Sequence, residues 1–423
     1  MNRLLSFLSP LRSLPVAIVY LALSLLLMIG LSRKVRLETN TLSRFITVES
    51  LVERSTFCVD SSVYKLPIDI IQINGKKYSD KPPLYSLVMA TEAKVLAVIS
   101  GKIPSRNSIL YEKFLVLMNQ ILPYLFLLLL ALQLMAKAGF NSGEQVFGLL
   151  ALGIGILPFS YSIVIINHTP TAVWLFLVFY TLAKSYLLGE VMKTSHMIVA
   201  GFFCGMAAAY EIYSLSFALS FAALLFFSEE RWNSVLRFGI GFIPVILFAA
   251  FLNYSISGSM LPFYTNQSFF HYQGSYWNSP HDFDAYNESW WLYFFNIIVG
   301  HHGLISISPI LIFGIASVVS VLKRRDRTSI FILANAFAIF LTIFLILIFT
   351  NNYGGQSIGL RFFVFFMPVL MFMGLLFLHQ IQNKFMKLLS WLLLAFSSIT
   401  VVEGLLMDPS AMRSSLDLFI HSS

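Results

Sequence analysis

Uninterrupted apolar runs, each long enough to cross a bilayer, recur along the whole of this chain, and they leave few folds open. In hydrocarbon every backbone N–H and C=O must find a partner inside the protein, so only helices and closed barrels span. The runs are continuous and do not alternate, which selects helices over barrel strands. Only 11% of the 423 residues are charged, against roughly 25% in a soluble domain. The first run, 14–31, is too long for a signal-peptide core and lacks a small-residue cleavage site, so it reads as a retained helix. Further spans are expected near 111–136, 144–166, 169–188, 234–254, 300–322, 329–350, 361–380 and 385–406. The run 197–227 is long for one span and is interrupted by Glu211, which suits two short helices meeting near Tyr210-Glu211. The fold class is therefore an all-α polytopic membrane protein with about 11 helical membrane segments.

Lys and Arg set the expected orientation. KRRDR (323–327), the pair Lys384 and Lys387, and the pair Arg231 and Arg237 mark inside loops, whereas 254–293 and 351–360 carry no Lys or Arg and read as outside. Counting back puts the N-terminus in the cytoplasm. The net charge of +8 then marks cytoplasmic loops and gives no reason to expect nucleic acid as a partner. The outside holds two long segments, 32–110 and 255–299, the second dense in aromatic residues, and long structured loops tend to be functional. No internal repeat stands out, which weakens an inverted-repeat transporter. Cys58 and Cys204 fall in a polar loop and a helix, so neither a disulfide nor a metal motif is expected.

Five stretches carry residues suited to chemistry. In SRFITVESLVERSTF (43–57) apolar residues at Phe45, Val48, Leu51 and Val52 follow helical spacing, which suggests an amphipathic helix on the outer membrane surface with Arg44 at its start. In YSDKPPLYS (78–86) two prolines suit a first helical turn, and Asp80 and Lys81 stand at its mouth, where a phosphate is the obvious guest. The plain alternative is a capping Asp beside a snorkelling Lys. INHTP (166–170) offers His168 as a base, a ligand or a turn residue. GHHGLISISP (300–309) places His301 and His302 near the outer surface without metal-pair spacing. NNYGGQSIGLR (351–361) forms a turn at Tyr353 and ends at Arg361, whose guanidinium suits bidentate phosphate binding. All fall on one side of the membrane, where an acid could deprotonate a hydroxyl acceptor and aromatic side chains of 264–291, Tyr272 among them, could stack on sugar or lipid.

DKPPLY (80–85), after a first helix and an outside loop, resembles the GT-C superfamily of polyprenyl-phosphate-sugar-dependent glycosyltransferases, in its protein O-mannosyltransferase and aminoarabinose transferase branch. An SRF…VESLVERSTF-like first loop, an NGKKYSDKPPL-like lead-in, an NHTP-like element and a YGG…GLR-like element extend the resemblance from about 38 to about 370. The resemblance implies one membrane-embedded transferase domain over 1–423 with interfacial helices in the first outside loop, in a bacterial inner membrane. It implies a polyprenyl-phosphate-sugar donor, an inverting displacement by an unknown hydroxyl acceptor on the outer face, and membrane lipid as surroundings. Lys81 and Arg361 would contact the donor phosphate, with Arg44, His168, Tyr272, His301, His302 and Tyr353 as further substrate-binding residues, and Asp80 would line the site or assist a divalent metal ion. One departure stands out. The family's acidic pair after the first helix has Asn40 and Thr41 in its place here, so the base role passes to Glu38, to Glu49 or Asp80, or is lost. Two other readings stay open: a transporter or flippase of a lipid-linked or anionic substrate, for which Glu211 is the one strong candidate for a buried ionisable group, and a non-catalytic family member.

Overall fold

A computed structural model of the protein describes residues 15–31, 39–228, 230–280, 288–350, 352–355 and 357–406. Five of its helices are long and apolar enough to cross a membrane: α3 (Pro83–Ser100), α4 (Ser108–Lys137), α9 (Arg231–Ser257), α12 (Arg327–Phe349) and α14 (Lys384–Leu406). Shorter apolar helices accompany them: α1 (Pro15–Leu31), α7 (Thr194–Tyr210), α8 (Leu215–Phe226), α11 (Ile312–Val321) and α13 (Met367–Gln380). Helices α2 (Thr39–Arg54), α5 (Ser142–Leu152), α6 (His168–Tyr186) and α10 (Trp290–Ile298) complete the set used below.

The long helices face two ways. On α9, Leu236, Ile240, Ile243, Leu247 and Phe251 are more than half exposed. Their steps of three and four residues put them on one helix face. So wide an apolar stripe is what lipid would cover. The opposite face packs on α7 through small residues. A Cβ at Gly201 would lie 2.0 Å from the Phe238 carbonyl oxygen, and one at Gly241 would lie 1.9 Å from that of Ile198. Backbone sits against backbone there, as small residues permit between membrane helices. Gly201→Ala is therefore expected to force α7 and α9 apart and destabilise the protein by about 1–3 kcal/mol, read as a lower unfolding midpoint in detergent.

Three expectations from the sequence change here. The stretch 43–57 does not lie on a membrane surface: it belongs to α2, and every residue from 43 to 50 is buried. The chain after α2 folds back over it, and Val59 and Ile70 pack on Ile46. Two buried serines of α2 are matched, Ser43 Oγ donating to the Asp69 carbonyl at 2.7 Å and Ser50 Oγ to the Cys58 carbonyl at 2.5 Å. The span expected over 144–166 stops at Leu152. The chain runs on with a single helical turn at Pro158–Tyr161, which Pro158 opens without an N–H to lose, and it is buried at every residue from 155 to 173, where α6 has begun. Irregular backbone is tolerable at membrane depth where protein surrounds it. The span expected over 300–322 begins only at Ile312, after a turn at the paired histidines and single turns at Leu304–Ile307 and Pro309–Leu311. By contrast α7 and α8 do meet at Glu211, which is extended at φ −144°, ψ 108°. Cys58 and Cys204 are both free.

Candidate active site

The site is built on a hairpin that Asn74-Gly75 specifies. Both residues have positive φ, 51° and 78°, the conformation of the two-residue turn that matches strand twist. Strands β1 (Ile70–Ile73) and β2 (Lys76–Ser79) pair in the register Ile73↔Lys76 to Ile70↔Ser79. Ile71 and Ile73 point to one face and pack on Phe263, while Ile70 points to the other and packs on Ile46. One step beyond Ile70↔Ser79, Asp69 stands opposite Asp80. Two carboxylates so placed repel. Lys81 resolves the conflict, its Nζ lying 3.0 Å from Asp69 Oδ2 and 3.0 Å from Asp80 Oδ1, with all three side chains nearly buried. Burial raises both carboxyls, and the Lys81 ammonium with Arg361 and Arg44 outweighs it at Asp69, which is held below the usual carboxylate range. At Asp80 burial, together with the Asp69 charge, prevails over Lys81 and its carboxyl is pushed up. The pair is thus arranged to give up its last proton from Asp80.

Above the hairpin lies a cavity of about 480 Å³. Asn40 and Arg44 of α2, Asp69, Asp80 and Lys81, Asn167 and His168, Glu211, and Arg361 all line it. Tyr264, Phe270, His271 and Trp277, from the loop after α9, form an aromatic wall. A buried polar chain crosses its floor. Arg44 Nη1 donates to the Asn40 carbonyl at 3.0 Å and also binds the Asn40 side chain, and Arg44 Nη2 binds Asn167 Oδ1. Burial pushes the Arg44 guanidinium down to about 10, against the attraction of Asp80 and Asp69. Asn167 Nδ2 donates to the Tyr210 carbonyl at 2.8 Å and to Glu211 Oε2 at 3.0 Å, so the helix break at Glu211 loses no hydrogen bond there. Glu211 Oε2 also lies 2.8 Å from His168 Nδ1. The segment carrying Asn167 is fixed from α4, where a π-turn at Leu117–Ile121 aims Gln120 Nε2 at the Ile166 carbonyl, 2.7 Å away.

Arg361 enters from the far side on a pinned loop. Gly354 has φ +76°, and a Cβ there would come within 2.7 Å of Arg361 Nε, so the Tyr353-Gly354 turn leaves room for the guanidinium only without a side chain. Leu360 N donates to the His302 carbonyl at 3.2 Å, and Tyr161 Oη donates to the Ile358 carbonyl at 3.1 Å. Among the described residues no carboxylate pairs with Arg361, and its Nε is buried without a hydrogen-bond partner.

Of the residues singled out in the sequence, Arg44, Asp80, Lys81, His168 and Arg361 converge on this cavity. Five others stand off it: Glu49, Tyr272, His301, His302 and Tyr353. Glu49 is fully buried and paired with Arg54 at 2.9 Å, on the side of α2 turned away from the cavity. Tyr272 donates to the Ile70 carbonyl at 3.4 Å and ties the aromatic loop to the hairpin. His302 stacks on Tyr353 and His301 meets it edge-on, each with ring centroids 4.6 Å away, in a layer behind the wall, and Tyr353 donates to Glu288 at 2.5 Å. Glu38 lies outside the described residues. Asn40, Asn167, Glu211 and Asp69 join the site as additions. Asn74-Gly75 was the signal for Asp69, because that turn fixes the register that pairs it with Asp80. Among the described residues no group of three or more His, Cys, Asp and Glu side chains could hold a metal ion. The donor set does not fit one: Lys81 already stands between the two carboxylates a cation would need.

No protein-family model and no curated protein matches the chain. Solved structures do. It is similar to ArnT, an aminoarabinose transferase, from Cupriavidus metallidurans in the apo state, with a TM-score of 0.52 and 12% identity over 88% of this chain and 60% of that one. It is also similar to the Archaeoglobus fulgidus oligosaccharyltransferase tethered with an acceptor peptide, with a TM-score of 0.54 and 15% identity over 94% of this chain and 56% of that one. A third similar structure, the AglB enzyme of the same organism with an inhibitory peptide and a dolichol-phosphate, gives 0.52 and 15% over the same shares. The chain thus spans little more than half the length of these structures. At such identities the likeness speaks for the fold alone, and this membrane protein shares its fold with these transferase structures.

Proposed function

We propose that the protein is a membrane glycosyltransferase that moves a sugar from a polyprenyl-phosphate donor to a hydroxyl acceptor, with inversion. The observation that carries this reading is the cavity itself. It combines a guanidinium whose Nε is buried and which has no carboxylate partner among the described residues, Arg361, with a fully buried cation, Arg44, and a wall of aromatic side chains. A phosphomonoester or phosphodiester head is the anion that such a fork fits. Flat aromatic faces suit a sugar or an isoprenoid. One of the similar structures holds a dolichol-phosphate and another an acceptor peptide, which agrees with a lipid-phosphate donor and a separate acceptor. The acceptor oxygen displaces the phosphate at the anomeric carbon, and the electron pair of the broken bond stays on the phosphate, whose added charge Arg361 stabilises. Lys81 serves this site by keeping Asp69 and Asp80 in place. The Lys and Arg distribution supports an outer-face position for the cavity.

The transport reading needs a path past Glu211. Glu211 lines the same cavity as Lys81, His168 and Arg361, which favours transfer. The test uses the full chain in bilayers with sugar-labelled polyprenyl-phosphate glucose, mannose, galactose and arabinose, and the membranes of its own host as acceptor. Labelled sugar should leave one of these donors, with free polyprenyl phosphate as co-product. A donor that crosses the bilayer intact, with no bond broken, would replace the transferase by a flippase.

A further inference from the structure

An inverting displacement needs a group that takes the acceptor proton, and the cavity offers an unexpected one. Asn40 carries an amide, which cannot serve. Glu49 is sealed against Arg54, and Asp80 is committed to Lys81 opposite Asp69. Across the cavity floor stands another pair. Glu211 is held at the break between α7 and α8, nearly buried, with Asn167 Nδ2 donating to its Oε2 at 3.0 Å. The same oxygen lies 2.8 Å from His168 Nδ1. Nδ1 is close to that oxygen but off the line of a hydrogen bond; a small rotation of the ring aligns it, which puts the proton of a neutral imidazole on Nδ1 and leaves Nε2 as a bare acceptor. Nothing among the described residues hydrogen-bonds Nε2, and His168 lines the cavity wall. Its ring stands edge-on to Phe362, 5.8 Å between centroids, immediately after Arg361. The order carboxylate, imidazole, open cavity, guanidinium is that of a base oriented by an acid and aimed at a site beside an anion holder.

We propose that His168 is the general base of the transfer, held in tautomer and orientation by Glu211 as a positioning residue. The inference rests on the transferase reading. His168 Nε2 accepts the acceptor hydroxyl proton as that oxygen bonds to the anomeric carbon. The bond from this carbon to the phosphate oxygen breaks, its electron pair remains on the polyprenyl phosphate against Arg361, and the proton ends on His168. The imidazolium so formed is stabilised by Glu211. The acid lost at Asn40 is thereby replaced from another part of the chain, with Arg44 and Asn167 linking the old position to the new one. The charged and titratable groups around the pair are Arg44 from α2, Arg361 from the loop before α13, and Tyr213 and Tyr264.

Two measurements on His168→Gln and Glu211→Gln test this: affinity for polyprenyl phosphate, and sugar transfer from the active donor against pH. His168→Gln should lose transfer by about 10²–10⁴-fold, the usual worth of a general base, while its affinity stays within about threefold of wild type. Glu211→Gln removes the anion that favours the protonated ring, so the acid limb of its residual transfer should move to lower pH by roughly one unit. A purely structural role would lower affinity and transfer together and leave the limb in place, which would overturn the proposal. So would transfer surviving in His168→Gln and vanishing in Asp80→Asn, which would make Asp80 the base and leave the transferase reading intact. If wild type neither binds polyprenyl phosphate nor transfers from any donor, that reading fails and this inference with it.

Discussion

Lys81→Met is expected to destabilise the protein by about 3–5 kcal/mol, the cost of removing one partner from a buried ion pair. The size follows from the hairpin register. Asp69 and Asp80 face each other one step beyond Ile70↔Ser79, and the Lys81 ammonium, 3.0 Å from both, is what allows them to be ionised together. Met keeps the length of the side chain and removes only the charge, so the loss reports electrostatics more than packing. The pH dependence has a definite sign. Without Lys81 only Arg361 and Arg44, each a weaker influence, oppose the burial of the two carboxyls, so their folded pKa values rise above the unfolded ones. An acid raised in the folded state costs stability as pH climbs through the carboxylate range and costs none where it is protonated. Lys81→Met should therefore be furthest below wild type at neutral pH and recover toward it as pH falls below about 4, the unfolded Asp value. Unfolding midpoints in detergent at pH 4 and pH 7.5 would show this, and an equal deficit at both values would refute the two-carboxylate account. Transfer should fall as well, because Asp80 and Lys81 shape the cavity wall.

Arg361→Ala is expected to weaken polyprenyl phosphate binding by about 2–4 kcal/mol, roughly 30- to 900-fold in Kd. The guanidinium has a buried Nε with no hydrogen-bond partner. A buried donor left unmet is costly, and an anion in the cavity would satisfy it. Arg361→Lys keeps the charge and loses the fork, so it should fall between the two. Gly354→Ala should act in the same direction from outside the cavity, because its Cβ would stand 2.7 Å from Arg361 Nε at a φ of +76°. Binding of polyprenyl phosphate to the purified protein checks all three. If Arg361→Ala binds as tightly as wild type, the phosphate is held elsewhere, and Arg44 is the next guanidinium to change.

The membrane class, many of the apolar helices and the break between α7 and α8 could be read from the sequence, because they depend on local composition, whereas α3, long and apolar enough to cross a membrane, was not among the expected spans. A run such as 329–350 has no soluble alternative, and Glu211 in an apolar run announces an interruption whatever surrounds it. Arg44, Asp80, Lys81, His168 and Arg361 could be singled out for the same reason: each is a polar or charged residue at the edge of an apolar run. The tertiary structure decided what each of them faces. Helical spacing puts α2 on a surface, but the chain from Val59 to Ile70 covers it and turns Glu49 toward Arg54. Lys81 reads locally as a free cation at a helix mouth, and the hairpin hands it two carboxylates. Glu211 reads as a charge at the bilayer midplane, and the packing of α6 against α7 brings Asn167 and His168 to it over 44 and 43 positions of sequence. Hydropathy and turn chemistry act over a few residues and can be read along the chain. Charge pairing and burial depend on which distant segments meet, and only the folded protein sets that.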